Sequence, residues 1–358
     1  MFRLTSLPAD DGDCLLLSYG NPEAPHHVLV DGGRARTYPL LRQHLTAIAA
    51  TGGKIELLVL SHIDADHIEG LLKLAEDPAK PVRVDEVWFN GFEQMTTLEA
   101  LGPEQGDRFS VALRKSGWKW NSSFTDGMVR TEDDGRPRLV KLPGGLTLTI
   151  LSPNLDKLRR MRREWQNWRD GEEKKAAVLD KKTVPGGLEV LGRKPMPAVL
   201  DVNLLADAPD QFDNTAPNGS SIAFVAEWEG KRILFAADAH PDLMTTIITS
   251  LAAATPDRRY PIDLYKVSHH GSVGNTTSPL VSQLGCTRFL ISTNGSRHGH
   301  PDPEAIAKLI RHAPSEPKVL YFNYRQPRST PWDNTELKTQ HKYRCVFPPS
   351  VGPLTIEL

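Results

Sequence analysis

Two imidazoles and two carboxylates stand within six residues of this chain, His62-Ile63-Asp64-Ala65-Asp66-His67. Buried together, such groups are costly unless a cation sits among them, because they shed their water and gain no partner. A tight turn can aim several of them into one cavity, whereas a helix spreads them around its axis. A turn is therefore the expected setting. The chemistry it suggests is the binding of two divalent metals, which activate a water and clamp a leaving oxygen.

Four more polar clusters adjoin apolar, strand-like runs. Asp238 follows Lys231–Ala237, and Ser268-His269-His270-Gly271-Ser272 follows Ile262–Val267. Asn294-Gly295-Ser296-Arg297-His298-Gly299-His300 follows Arg288–Thr293, and Asn218-Gly219-Ser220 precedes a strand. In layered α/β proteins, ligands gather where strands end and loops begin. Taken singly, some of these residues have plainer meanings: Asp238 as a helix cap before Pro241, His298 as a solvated loop histidine.

The elements that must position these residues alternate. Phe2–Leu7, Asp13–Tyr19 and His27–Asp31 read as a β-meander, and Tyr38–Ala50 has helical spacing. Ile55–Leu60 is a strand, a helix is expected from Ile68, and Val84–Asn90 is a further strand. Leu146–Leu151 alternates cleanly, and Ser221–Trp228 with Lys231–Ala237 forms a hairpin signal. Helix and strand then alternate to the strand pair Tyr343–Phe347 and Leu354–Leu358. This rhythm predicts layered α/β architecture. The span from about 155 to 217 reads as a charged insertion within a single domain. Its Lys157–Lys194 part holds 12 Lys or Arg against 6 Asp or Glu, with Trp165 and Trp168 inside it.

With a formal net charge of -1, the chain has no global basic field for nucleic acid, so any anion-binding face must be local. No run approaches the roughly 18 apolar residues of a membrane span, so no membrane insertion is expected. Asp10, Asp11 and Asp13 precede the first apolar run, which is unlike a secretory signal. Cys14, Cys286 and Cys345 lack metal or disulfide spacing and read as structural thiols, which makes the cytoplasm the expected compartment.

Ser61-His62-Ile63-Asp64-Ala65-Asp66-His67-Ile68-Glu69-Gly70 resembles the metal motif of the metallo-β-lactamase superfamily. Within it, the chain resembles the soluble hydrolase domain of ComEC-type DNA-uptake proteins. The segments Gly12–Leu17, Leu29–Gly33, Leu146–Pro153, Asn218–Asp238, Lys266–Ser272, Ser292–Gly295 and Gly299–Pro301 resemble that branch in the same order. The resemblance implies a four-layer αββα sandwich of two mixed sheets, with the active site at one edge. It implies that His62 and Asp64 hold one metal, Asp66 and His67 the second, and Asp238 bridges them. His269, His270 and His300 would complete or line the site, with no assignment among them.

Two positions depart from the common pattern. Asp64 stands where histidine is usual, and the histidine before the hairpin is replaced near Asn218. Oxygen donors favour harder cations, so Mn²⁺ or Mg²⁺ competes with Zn²⁺. The expected reaction is hydrolysis by metal-activated water, with Asp66 orienting the nucleophile and His269 or His270 protonating the leaving group. Asn218, Lys266 and Arg297 are candidate contacts to an anionic substrate. Phosphodiester hydrolysis of a nucleic acid is the first expectation, with the basic span adding backbone contacts. A small phosphodiester, lactone or thioester is the second. A partner-binding subunit of a larger assembly, for example in defence against foreign DNA, is the third.

Overall fold

The computed structural model describes residues 1–95, 104–176 and 195–358. The stretch 177–194 of the basic span lies outside the described residues. Strands β1 (Phe2–Ser6), β2 (Leu15–Tyr19), β3 (His26–Val30), β4 (Ile55–Val59), β5 (Val84–Trp88) and β6 (Lys119–Trp120) belong to a first sheet. Strands β7 (Arg138–Lys141), β8 (Thr147–Ser152), β9 (Ala223–Trp228) and β10 (Lys231–Phe235) begin a second. That sheet continues with β11 (Leu264–Lys266), β12 (Arg288–Ile291), β13 (Lys318–Phe322) and β14 (Tyr343–Val346). The last strand, β15 (Leu354–Glu357), returns to pair antiparallel with β1. The orders are β15-β1-β2-β3-β4-β5-β6 and β14-β13-β12-β11-β10-β9-β8-β7.

Alternation along the strands explains the layers. On β2, Leu15 and Leu17 face the second sheet and meet Ile150, Phe224 and Leu290 there, while Leu16 faces the other way. The outer side of the first sheet is covered by α1 (Tyr38–Ala50), α2 (Ala65–Glu76), α3 (Glu104–Ser116) and α4 (Leu155–Ala176). The outer side of the second is covered by α5 (Pro241–Ala252) and α6 (Pro303–His312). Each sheet thus buries both faces, and the result is the four-layer sandwich expected from the resemblance. Among the described residues no helix is long and apolar enough to cross a membrane.

One departure from expectation bears on function. The helix after β4 opens at Ala65, so Asp66 and His67 occupy its first turn rather than a free turn, with Asp64 at the N-cap. The described parts of the expected insertion pack into the cores. Leu158, Met161 and Trp165 of α4 join the core over the first sheet, and Val202 and Ala206 join the core over the second. Trp165 is a core residue, packed near Phe92 with ring centroids 5.7 Å apart.

Candidate metal centre

Five strand ends deliver the site. Strands β3 and β4 run parallel, as do β10, β11 and β12, so their C-terminal ends lie side by side. Asp31 follows β3, Ser61 and His62 follow β4, and Asp238 follows β10. His269 and His270 follow β11, and Ser292 follows β12. The backbone is folded back sharply at three of these ends, one of them at Asp31 (φ 57°). His269 (φ 45°) and His270 (φ 53°) are consecutive left-handed residues, as is Ala237 (φ 45°) just before Asp238. Such conformations cost on the order of 1–3 kcal/mol each. The His269 N–H donating to Ala237 O at 2.8 Å, and the Ser272 N–H donating to His269 O at 2.8 Å, hold the turn.

Helix α2 is seated by close backbone contact. A Cβ on Gly70 would stand 1.9 Å from Gly32 O, so only glycine lets the helix approach the loop after β3. The Gly32 N–H donates to His67 O, and the Gly70 N–H donates to Gly33 O, both at 2.9 Å. The Asp64 side chain makes no capping hydrogen bond. Its Oδ2 instead lies 3.6 Å from His62 Nε2.

The hydrogen-bond partners settle the tautomer of four imidazoles. His67 Nδ1 lies 2.8 Å from Asp31 Oδ2, an acceptor, so the proton is on Nδ1. His270 Nδ1 faces Ser292 O at 2.8 Å, and the same follows. The Ser61 hydroxyl donates to Asp31 Oδ2 at 2.8 Å, so at 3.0 Å it accepts from His62 Nδ1. Asn275 donates its NH₂ to Asp238 O and Ala239 O, which turns its Oδ1 toward His269 Nδ1 at 2.9 Å. All four Nε2 atoms therefore present bare lone pairs, and all four face carboxylates. His62, His67 and His269 Nε2 lie 3.6, 3.6 and 3.5 Å from Asp238 Oδ2. His270 and His67 Nε2 lie 3.5 and 3.8 Å from Asp66 Oδ2. The Nε2 atoms of His62, His67 and His270, and Asp238 Oδ1, are buried without a hydrogen-bond partner.

Lone pairs facing carboxylate oxygens at these distances repel unless a proton or a cation lies between them. Burial disfavours a charged His67, yet Asp238, Asp31 and Asp66 hold its pKa well above the ordinary value. Burial likewise opposes the charged form of Asp238, but His269, His67 and His62 hold it well below the usual carboxylate range. The surroundings thus call for positive charge at this point. This donor set could hold two divalent cations, with His62, Asp64, Asp238 and His269 available to one and Asp66, His67, Asp238 and His270 to the other. His62, His67 and Asp238 converge closely enough to share one ion. Asp13, His67 and His270 also converge, but Asp13 lies behind the rings, 3.7 Å from His270 Nδ1. We therefore place it outside the donor set.

The other expected site residues are distributed unevenly. His300 lies beside His269, with ring centroids 5.1 Å apart and Nδ1 3.5 Å from Asp302. Burial holds its pKa below the ordinary value despite that carboxylate. Lys266 does not reach substrate space. It is 1% exposed and its Nζ closes on Asp13 Oδ2 at 2.8 Å, because a buried ammonium needs a buried counter-charge. Asn218 and Arg297 do line a cleft of about 470 Å³ over the centre, with Asp64, Asp66, Asp238 and His269. Arg160 and Glu164 of α4 form one wall. Arg297 makes no ion pair or hydrogen bond among the described residues. His298, expected in solvent, is half-buried on the same cleft, 3.7 Å from Asp11.

Four buried or half-buried residues behind the ligand candidates were not singled out from the sequence: Asp31, Asp13, Asn275 and Asp213. Each acts through a neighbour, so none belongs to a recognisable spacing. The one available signal was Asp31 ahead of Gly32-Gly33 at a strand end.

A model of the metallo-beta-lactamase superfamily matches residues 25–134. No curated protein matches the chain. Among solved structures, the chain is similar to a mutant of the CmlA beta-hydroxylase, at 13% identity and a TM-score of 0.41, covering 100% of this chain and 54% of that one. It is also similar to CmlA, a diiron beta-hydroxylase from Streptomyces venezuelae, at 11% identity and a TM-score of 0.41, covering 99% and 54%. The chain spans about half the length of these structures. The matched residues hold the motif His62–His67, and the two mixed sheets bring that motif to Asp238.

Proposed function

We propose that the protein is a metal-dependent hydrolase of phosphodiesters. The observation that carries this reading is the set of four bare Nε2 atoms converging on Asp66 and Asp238. Bound divalent cations supply Lewis acidity there, lowering the pKa of water and stabilising charge on the transferring group. Asp238 spans both positions. His269 and His270 present the same bare nitrogen as His62 and His67, so we assign both to metal binding rather than to proton transfer. Asp64, where histidine is usual, makes this position two imidazoles and two carboxylates, which moves it toward harder cations such as Mn²⁺.

Arg297 on the cleft favours an anionic substrate over a neutral lactone or thioester, whereas Arg160 is paired with Glu164. The size of the cleft favours a small phosphodiester or the end of a single strand over a duplex, whose specific recognition covers about 1,000 Å² or more of protein surface. The test is a hydrolysis screen of the purified chain with Mn²⁺, Mg²⁺ and Zn²⁺. Substrates are an aryl phosphodiester, cyclic nucleotides, RNA, and single- and double-stranded DNA. We expect metal-dependent cleavage of the small diesters, strongest with Mn²⁺, and a loss of at least about a thousandfold in Asp64→Ala with Asp66→Ala. Metal-loaded protein that hydrolyses a lactone or thioester and no phosphodiester would overturn the reading.

A further inference from the structure

Asp213 lies on a segment, residues 207–215, that shows neither helical nor strand periodicity. The structure nevertheless fixes it firmly. Lys308, with no exposed surface, reaches Asp210 at 2.6 Å, and Asp210 also accepts from Ser278 N at 2.9 Å. The Asp213 N–H donates to Gly274 O at 3.0 Å, tying the segment to the loop that follows His269-His270.

The carboxylate of Asp213 collects donors. Its Oδ1 accepts from Thr215 N at 2.9 Å, and its Oδ2 accepts from Asn218 Nδ2 at 2.6 Å and Asn275 Nδ2 at 3.1 Å. Asn275 is fully buried, and its Oδ1 faces His269 Nδ1. Asp213 Oδ2 itself lies 3.7 Å from His269 Nδ1. On the other side, His240 Nε2 is 3.8 Å from Asp213 Oδ1. His240 Nδ1 lies 2.8 Å from the Lys157 ammonium on α4, which donates, so the His240 proton is on Nε2, where it meets no hydrogen-bond acceptor. The hydrogen-bonded path runs from Asp213 through Asn275 to His269.

We propose that Asp213 is a positioning residue for the metal centre: it orients the amides of Asn275 and Asn218 and keeps the proton of His269 on Nδ1, leaving Nε2 bare for a cation. The proposal rests on the metal-centre reading above. Its physical basis is that an acceptor at Asp213 holds the NH₂ groups of both amides, joining Asp238 O and Ala239 O in holding that of Asn275. Asp213→Asn sets an NH₂ group either against those two or against the Thr215 N–H. Rotation of Asn275 in the first case would place its Nδ2 against His269 Nδ1 and move the imidazole proton to Nε2. A proton and a metal compete for that lone pair.

The test uses the full chain and Asp213→Asn, with Asp213→Glu as the conservative variant. Nitrogen-15 NMR of the metal-free protein reads the His269 tautomer, assigned with His269→Gln. Chelator competition with Mn²⁺ and Zn²⁺ reads stoichiometry and affinity. We expect Asp213→Asn to shift His269 toward the Nε2–H form and to weaken metal binding about 10- to 100-fold. The thermal midpoint of the metal-free protein should stay near wild type, with partial recovery of affinity in Asp213→Glu. A wild-type tautomer with unchanged affinity would overturn the proposal. So would weakened binding with a wild-type tautomer and a lowered midpoint, which marks a merely structural role. If Asp213→Asn does not fold, Asn275→Ala removes the amide next to His269 and carries the same expectations. If the wild-type chain binds no metal, the metal-centre reading fails, and the His269 tautomer still decides the role of Asp213.

Discussion

Asp31 receives three groups at once: Ser61 N and Ser61 Oγ at 2.8 Å each, and His67 Nδ1 at 2.8 Å. It does so from a left-handed backbone conformation (φ 57°), which turns its side chain back from the end of β3 toward the end of β4. Through Ser61 it also sets the proton of His62. One carboxylate therefore orients two ligand candidates. Asp31→Asn should weaken metal binding about 10- to 100-fold with little change in fold, read by chelator competition and circular dichroism. His62 to His67 could be found in the sequence because the donor atoms are contiguous there. Asp31, Asn275 and Asp213 act on residues 5 to 62 positions away, and nothing in spacing links such pairs. Lys266 misled for a related reason: a lysine beside a histidine pair suggests an anion site, and only the fold reveals Asp13 as its partner.

At the scale of elements, the sequence spoke most clearly where the period was regular. Strands β2, β4 and β9 lie within their expected spans because each shows unbroken apolar patterning. The start of α2 was misplaced by three residues. Its first turn carries metal-binding chemistry instead of the apolar residues that announce a helix, and Asp64 caps by position without a side-chain bond. Strand β3 supplies a pH-dependent feature. His27 is buried, with Ser18 Oγ 2.9 Å from its Nδ1. Burial pushes its pKa from 6.5 down to about 4, with Glu56 opposing and His26 adding to the shift. Between those values the unfolded chain takes up a proton that the folded chain refuses, so stability falls as pH drops from 6.5 toward 4. His27→Gln should flatten that part of the stability profile, measured by urea unfolding at pH 7, 5.5 and 4.5.

Seen as a whole, the molecule is built so that two sheets arrive at one edge with their parallel strand ends together. The layers were legible because alternation on strands such as β2 separates two cores. The position of Arg160 of α4 on the cleft wall was not legible, because a charged helix surface does not reveal which cavity it borders. The turn after β11 carries a consequence for the assembly of the centre. His269 faces Asp238 while His270 faces Asp66, although a single peptide bond joins them. A cation drawing one imidazole into place also fixes the backbone that carries the other, at the same left-handed bend. The two positions are thereby linked mechanically and should fill as a pair. Calorimetric titration of the metal-free protein with Mn²⁺ should show positive cooperativity, with a Hill coefficient above one, and no stable half-loaded form should persist at one equivalent.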